Sequence, residues 1–463
     1  MYSRRRLLAL SVGATVLAFT PAAAQRTDQR ETPNGTAITQ VFGDGQRLVA
    51  VALDYGQPIR SAGLSTSSFR VRGRTITRVY VSATQSPGAP HKAGRYVIVE
   101  LSPDDSGAAL RVGGPNGPPP GTGDPGGDAG ATAGPPPGMA APKFKVGRAS
   151  VLQVAPVNGS DGHRYLATAM PIVTSQVRNL IVDDFRQLAF RDPATGDVLK
   201  YNLFMPKGYN PRRSYPLVLF MHDAGATSDD PLTTLRQGLG AVVWASPVDQ
   251  AKRPCFVLAP QYASPTVNDR SEATSLLDTT MHLVTSLTKQ YSVDRERLYA
   301  TGQSGGAMMS IAMGIKYPGL FAASYIVAGQ WDPARVAPLA QERLWIMVSQ
   351  GDLKAYPGEN AITAALEARG AKVARAVWDG RSTPAQFAAA VRALEAQGAP
   401  INYAALAKGT VVLPGQDDNG GSNHTNTWRI AYTIEGIREW MFRQRRHANG
   451  VPSHWWSRGG SNP

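Results

Sequence analysis

The stretch Leu298-Tyr299-Ala300-Thr301-Gly302-Gln303-Ser304-Gly305-Gly306 constrains the fold of this chain more than any other. A short apolar strand leads straight into glycine, glutamine, serine, glycine and glycine, and a helix is expected from Gly305 to Lys316. A serine at such a junction sits on a tight, strained turn that projects its Oγ out of the sheet. Glycines two places before and two places after remove side chains that would collide there. The same residues could serve as an ordinary glycine-rich turn with an N-cap serine. The strand-turn-helix setting favours Ser304 as a nucleophile, with Gly302, Gln303, Gly305 and Gly306 forming its elbow.

The chain around the elbow alternates strands and helices from about Arg186 onward, the mark of an α/β sheet. Leu217 to Met221, Phe256 to Ala259, Ala323 to Ala328, Leu344 to Ser349 and Val373 to Trp378 read as strands. Helical periodicity covers Ser271 to Tyr291, Ala361 to Arg369 and Ala385 to Gln397. A last helix is expected from about Thr427 to Arg446, with Ile430, Ile434, Ile437 and Met441 as its apolar stripe.

Residues 36–183 read differently, as short β-branched strands separated by Gly, Pro, Asp and Ser, with no helical segment of useful length. Ile38 to Phe42, Arg47 to Leu53, Ser68 to Val71, Ile76 to Val81 and Tyr96 to Leu101 are the clearest, and the spacing is that of a β-sandwich. Between Ser102 and Pro142 the chain is dominated by Gly and Pro and cannot bury enough apolar surface to offset its ordering entropy. A disordered insertion inside the β domain is expected at 102–142, rather than the alternative of an interdomain linker, because strand-like segments resume at Phe144 and at Tyr165 to Met170.

The first 24 residues read as a signal peptide. Arg4-Arg5-Arg6 precede an apolar run from Leu7 to Thr20, and Ala22-Ala23-Ala24 offers a cleavage site. The run is shorter than the roughly 20 residues that a spanning helix needs. Ser3-Arg4-Arg5-Arg6-Leu7-Leu8 also fits a twin-arginine signal, with a Sec signal as the other route. An exported protein, periplasmic or secreted and without stable membrane insertion, is expected. A single cysteine, Cys255, excludes an intramolecular disulfide framework and multi-cysteine metal sites, and its apolar setting places it in the core. The formal charge of +14 invites a nucleic-acid reading, but Arg outnumbers Lys more than threefold and is scattered, so no nucleic-acid partner is expected.

A serine hydroxyl needs a base, and the base needs a carboxylate. In sheets with this elbow the acid and then the histidine follow the serine along the chain. Only His424, His447 and His454 remain after Ser304, and the last two lie in the polar tail 447–463. His424 lies in a loop expected just before the last helix. Asp352 follows the strand ending at Ser349, with Asp332 and Asp379 as rivals after neighbouring strands. A turn residue and an exposed loop imidazole are the plainer readings of Asp352 and His424. Met221-His222-Asp223-Ala224-Gly225 ends another apolar strand and can offer a backbone N–H, from Ala224 or Gly225, beside that of Gly305 as an oxyanion hole. His222 reads as a structural hydrogen-bonding residue. Asp417-Asp418-Asn419-Gly420 reads as a turn rather than a calcium loop, and Trp455-Trp456 as a tail segment that docks on the protein or binds a polymer. No metal or cofactor motif is found.

Taken together, Tyr201 to Tyr209, Tyr215 to Gly225, Val293 to Tyr299, the elbow at Ser304 and Lys316 to Ala322 resemble the α/β-hydrolase superfamily. The likeness is to its bacterial predicted-peptidase and polyhydroxybutyrate-depolymerase-like esterase branch, over residues 185–446. Residues 36–180 are similar to the immunoglobulin-like domain that precedes the catalytic domain in some members. The resemblance implies a triad of Ser304, Asp352 and His424, with Ala224 and Gly305 at the oxyanion hole. Three features depart from that pattern. Asp223 stands where glycine is usual, residue 305 is glycine where such esterases often carry methionine, and His424 lies 72 positions beyond Asp352, roughly twice the usual gap. An inserted helix and strand within Thr383 to Val412 would account for the gap.

The expected protein is an exported serine hydrolase that cleaves small or polymeric carboxylic esters through an acyl-enzyme, without a cofactor. A prolyl-oligopeptidase-like peptidase of the same geometry and a non-catalytic surface-binding protein with a relic hydrolase domain are the alternatives. Any homo-oligomer is expected to form through the β-sandwich domain.

Overall fold

The computed structural model describes residues 32–112 and 142–446. Residues 1–24, where a signal peptide is expected, most of the Gly/Pro-rich segment 102–142, and the tail 447–463 with Trp455-Trp456 lie outside the described residues. β-Branched residues at alternate positions build the first lobe. Its opening strands are β1 (Asn34–Phe42), β2 (Gly45–Arg60), β3 (Phe69–Val71), β4 (Ile76–Ser82) and β5 (Ala93–Leu101). β6 (Arg111–Val112) pairs with β7 (Lys143–Phe144), so regular structure continues well past Ser102. The cause is local: Ala108 and Leu110 are buried, and the Leu48 N–H donates to the Ala108 carbonyl.

β8 (Ser150–Gln153), β9 (Val157–Asn158), β10 (Arg164–Tyr165) and β11 (Ile172–Asn179) complete the lobe. The strand expected over Tyr165 to Met170 is therefore displaced. Leu166 and Met170 are exposed, and the alternation that buries Ile172 and Thr174 begins only after Pro171. β11 joins two layers, pairing with β8 at Ile172 and Val173 and running parallel to β1 beyond them. The order β3-β8-β11-β1-β2-β5-β4 folds over a core that includes Val51, Leu53, Phe69, Val97, Val99 and Val151. It is a β-sandwich.

The second lobe is a nine-stranded sheet. It contains β12 (Arg186–Arg191), β13 (Val198–Phe204), β14 (Tyr215–Met221), β15 (Phe256–Gln261), β16 (Val293–Gln303) and β17 (Ala323–Val327). β18 (Leu344–Ser349), β19 (Val373–Trp378) and β20 (Ile401–Leu406) complete it, in the order β12-β13-β15-β14-β16-β17-β18-β20-β19. β12 and β13 are antiparallel and the remaining seven strands parallel. Leu217 and Leu219 of β14 face one core and Val218 and Phe220 the other, as a sheet covered on both faces requires.

The covering helices are α1 (Thr233–Arg236), α2 (Leu239–Val242), α3 (Pro247–Lys252), α4 (Leu276–Gln290) and α5 (Gly305–Lys316). They continue with α6 (Ala355–Glu367), α7 (Pro384–Glu395), α8 (Gly420–Ala431) and α9 (Glu435–Arg443). α4 begins five residues after Ser271, which holds a positive φ of 58° while its Oγ accepts the Asp332 N–H. α6 begins earlier than periodicity suggests, because Asp352 Oδ1 accepts the N–H groups of Lys354 and Ala355.

The single last helix expected from Thr427 is in fact two. α8 starts at Gly420, where Asn419 and Ser422 cap each other's N–H, and a break at Tyr432–Ile434 separates it from α9. At the break, Thr433 Oγ1 donates to the Ile430 carbonyl and Arg438 Nη1 to that of Tyr432. Ile430, Ile434, Ile437 and Met441 nevertheless share one core. α7 and β20 supply a helix and a strand between Asp352 and His424.

Both lobes belong to one compact unit beginning at Pro33, and Val41, Val182 and Phe185 are buried in a core of the second lobe. Among the described residues no helix is long and apolar enough to cross a membrane.

Candidate active site

Ser304 stands between β16 and α5 with φ 51° and ψ −117°. An elbow of this kind stores roughly 1–3 kcal/mol of backbone strain, so the surrounding packing must hold it. Here the packing is backbone on backbone. A Cβ on Gly302 would lie 2.3 Å from the carbonyl carbon of Gly306, and one on Gly306 would lie 2.0 Å from the Met221 oxygen. Only glycine at both positions lets the start of α5 approach the end of β14 this closely.

His424 Nε2 lies 2.8 Å from Ser304 Oγ, and His424 Nδ1 lies 2.5 Å from Asp352 Oδ2. The three residues that the sequence reading selected are thus joined in one hydrogen-bonded chain. Asp332 and Asp379 are exposed, each accepting a nearby backbone N–H with its Oδ1. Burial alone would raise the Asp352 carboxyl. The hydrogen bond and charge of His424, with the N–H groups of Ala355 and Lys354, outweigh it and hold the group below the usual carboxylate range.

His424 sits inside α8 and not in a loop before a helix. The helix is fixed to the end of β18 by two residues that sequence reasoning did not single out. Asn423 Oδ1 accepts from Ser349 Oγ at 2.8 Å, and Thr427 Oγ1 accepts the Ser349 N–H at 3.1 Å. The Asn-x-x-Ser capping box at 419–422 was the available signal for a helix containing His424. Trp428, one turn on, sets its ring edge-to-face on the imidazole at 5.1 Å.

The oxyanion side is built from Asp223, Ala224 and Gly305. Ala224 and Gly305 are the first residues of their helical turns, so neither N–H has an intrahelical acceptor. The Ala224 nitrogen lies 3.2 Å from where a Gly305 Cβ would be, which puts the two donors side by side. The Asp223 carbonyl accepts from Ala226 N–H and lies 2.7 Å from His222 Nδ1. His222 Nε2 accepts the Tyr262 N–H, so Nδ1 carries the proton and donates. With the Asp223 carbonyl held, the trans peptide turns the Ala224 N–H the opposite way. The Asp223 side chain, in the place where glycine is usual, is buried and accepts from Gln303 Nε2 at 3.0 Å.

Glu359 lies behind Asp352. It is fully buried, and Oε1 accepts the Gly329 N–H at 2.8 Å. Burial drives its carboxyl well above the usual range; the Gly329 bond opposes this and the Asp352 charge adds to it. The folded state therefore keeps a proton that the unfolded chain releases above about pH 4.3, and rising pH favours unfolding until the folded value is passed. Glu359→Gln keeps the acceptor for Gly329 and removes the titration. The melting temperature of the variant minus that of the wild type is expected to grow with pH from about 4.3 upward, as calorimetry over a pH series would show.

Comparison with known proteins agrees with this architecture. Residues 34–166 match the family model described as "Esterase Ig-like N-terminal domain", and residues 193–450 that described as "Putative esterase". A solved structure titled as a thermostable esterase superposes with a TM-score of 0.72 at 26% identity, over 89% of this chain and 100% of that one. Acetylxylan esterase A of Aspergillus oryzae is 48% identical over 48 residues, 10% of this chain and 16% of its own length. Acetylxylan esterase A of Aspergillus ficuum is 32% identical over 105 residues, 23% of this chain and 33% of its own length. The match thus spans a third or less of these two relatives. The fold is an α/β-hydrolase preceded by an immunoglobulin-like domain, and the chain belongs to the family described as "Putative esterase".

Proposed function

We propose that this protein is an exported serine hydrolase that cleaves carboxylic esters through an acyl-enzyme. The observation that carries the reading is the chain from Ser304 Oγ through His424 to Asp352, with the Ala224 and Gly305 N–H groups, which have no intrahelical acceptor, beside it. His424 Nε2 takes the Ser304 proton as Oγ attacks the ester carbonyl. The N–H groups of Ala224 and Gly305 receive the oxyanion, and Asp352 balances the imidazolium. The same proton passes to the leaving alcohol, and water repeats the sequence on the acyl-enzyme to release the acid and restore Ser304. Export rests on the arginines and apolar run of residues 1–24.

Acetyl esters head the substrate panel because two similar proteins are named acetylxylan esterases. The test is hydrolysis of p-nitrophenyl acetate and butyrate together with fluorophosphonate labelling. Turnover and labelling support the reading, and labelling without ester turnover would favour a peptidase. Folded protein that does neither would return the chain to a binding role.

Ala224→Pro tests the oxyanion donor. Asp223 is extended (φ −70°, ψ 165°), the backbone that a following proline prefers. The substitution removes one N–H, and kcat is expected to fall by at least about 10²- to 10³-fold with the protein still folded, as steady-state kinetics and circular dichroism would show.

A further inference from the structure

The immunoglobulin-like domain reaches the catalytic lobe through the β1–β2 turn, Gly43-Asp44-Gly45. Val41, just before the turn, is buried in one cluster with Leu235 of α1, Val242 of α2 and Ile430 of α8. On one side the turn meets the α1–α2 connection: a Cβ on Gly238 would lie 3.1 Å from the Gly43 oxygen, and one on Gly45 would lie 3.6 Å from the Arg236 oxygen. On the other side it meets α8. A Cβ on Gly43 would lie 2.5 Å from Arg429 Cγ and 2.9 Å from both its Cα and its carbonyl oxygen. Gly43 lies outside the left-handed region, whereas Gly45 has φ 126°. The missing side chain at 43 therefore answers to Arg429 and not to backbone conformation.

Both surfaces that grip the turn carry parts of the site. α8 holds His424, about a turn and a half before Arg429. The α1 segment is tied to the oxyanion loop, because Gln261 accepts the Thr234 N–H and donates to the Ala226 carbonyl, each at 2.8 Å. Gln303 Nε2 lies 3.5 Å from Gln237 Oε1 as it holds Asp223. The turn itself is stiff. Gln46 Nε2 donates to Thr39 Oγ1 and Asn179 Oδ1, Arg47 pairs with Asp44, and the Arg47 guanidinium covers the Phe42 ring.

We propose that Gly43 is a positioning residue: the β1–β2 turn sets how closely α8 lies against the sheet, and so the reach of His424 Nε2 to Ser304 Oγ. The inference rests on the serine hydrolase reading. A side chain at 43 must displace the Arg429 backbone, which is backbone of the helix that carries the base. Displacements of about 1 Å in a catalytic group cost on the order of 100-fold in rate.

The test compares full-length wild type, Gly43→Ala, Gly43→Val and Gly88→Val. Gly88 is a glycine of the same domain where a Cβ meets nothing within 4 Å. The readouts are kcat and KM for p-nitrophenyl acetate, the fluorophosphonate labelling rate of Ser304, and thermal melting. Gly43→Val is expected to lower kcat and labelling by about 100-fold with KM held, Gly43→Ala to fall between, and Gly88→Val to match wild type. If Gly43→Val does not fold, the milder alanine variant decides by the same split. Folded Gly43 variants with wild-type kcat, or a loss that lies in KM alone, overturn the inference. A wild type with neither turnover nor labelling overturns the hydrolase reading instead, a result distinct from either.

Discussion

Ser304→Ala is expected to lower kcat for p-nitrophenyl acetate by on the order of 10⁶ and to leave the fold intact. The serine supplies the atom that forms the acyl bond, and its Oγ is the group held 2.8 Å from His424 Nε2. What remains in the variant is general-base assistance to water and a preformed oxyanion site, which accounts for a small residual rate over solution. Stability should barely move. The elbow strain at φ 51° belongs to the backbone and persists in the variant, and the glycine packing around it is unchanged. Only the 2.8 Å bond to His424 is lost, which is worth about 1 kcal/mol. Steady-state kinetics and thermal melting on the same preparation check both halves.

Asp352→Asn is expected to cost on the order of 10⁴ in kcat, for a reason specific to its bonds. Asp352 uses Oδ1 for the Lys354 and Ala355 N–H groups and Oδ2 for His424 Nδ1. Asparagine has one carbonyl oxygen. If that oxygen keeps the two backbone donors at the start of α6, the amide NH₂ faces Nδ1 and forces the proton onto Nε2. Nε2 then has no lone pair with which to take the Ser304 proton. The acid range carries a second signature. A carboxyl held below its unfolded value contributes stability that is present above about pH 3.9 and is lost as pH falls through the folded value. Melting temperatures of Asp352→Asn should therefore fall less steeply than those of wild type across this acid window.

The sequence exposed the parts of the site that depend on local backbone chemistry. The Gly302 to Gly306 elbow was legible because glycine is required wherever two backbones come within a bond length or two of touching. The fully buried strand Leu344–Ser349, the edge strand Val373–Trp378 and helix Gly305–Lys316 match their expected bounds residue for residue. Asp352 followed from its place at a strand end. What escaped was decided by side-chain capping or by tertiary packing. The Asn419–Ser422 capping box started α8 before His424, and the Asp352 caps started α6 early. Ala108 and Leu110 pinned a stretch whose composition looked unable to fold. Asn423 and Thr427, which fix α8 to β18, and Gly43, which meets α8 from the other domain, carry no signature along the chain.

The most direct test of the acyl-enzyme is to mix wild-type protein with p-nitrophenyl acetate, quench in acid during the first turnovers, and map the adduct by peptide mass spectrometry. One acetyl group on the peptide containing Ser304, absent in Ser304→Ala, is the outcome that a Ser304 acyl-enzyme requires. Turnover with no acyl group on Ser304, or the same burst in Ser304→Ala, would contradict it.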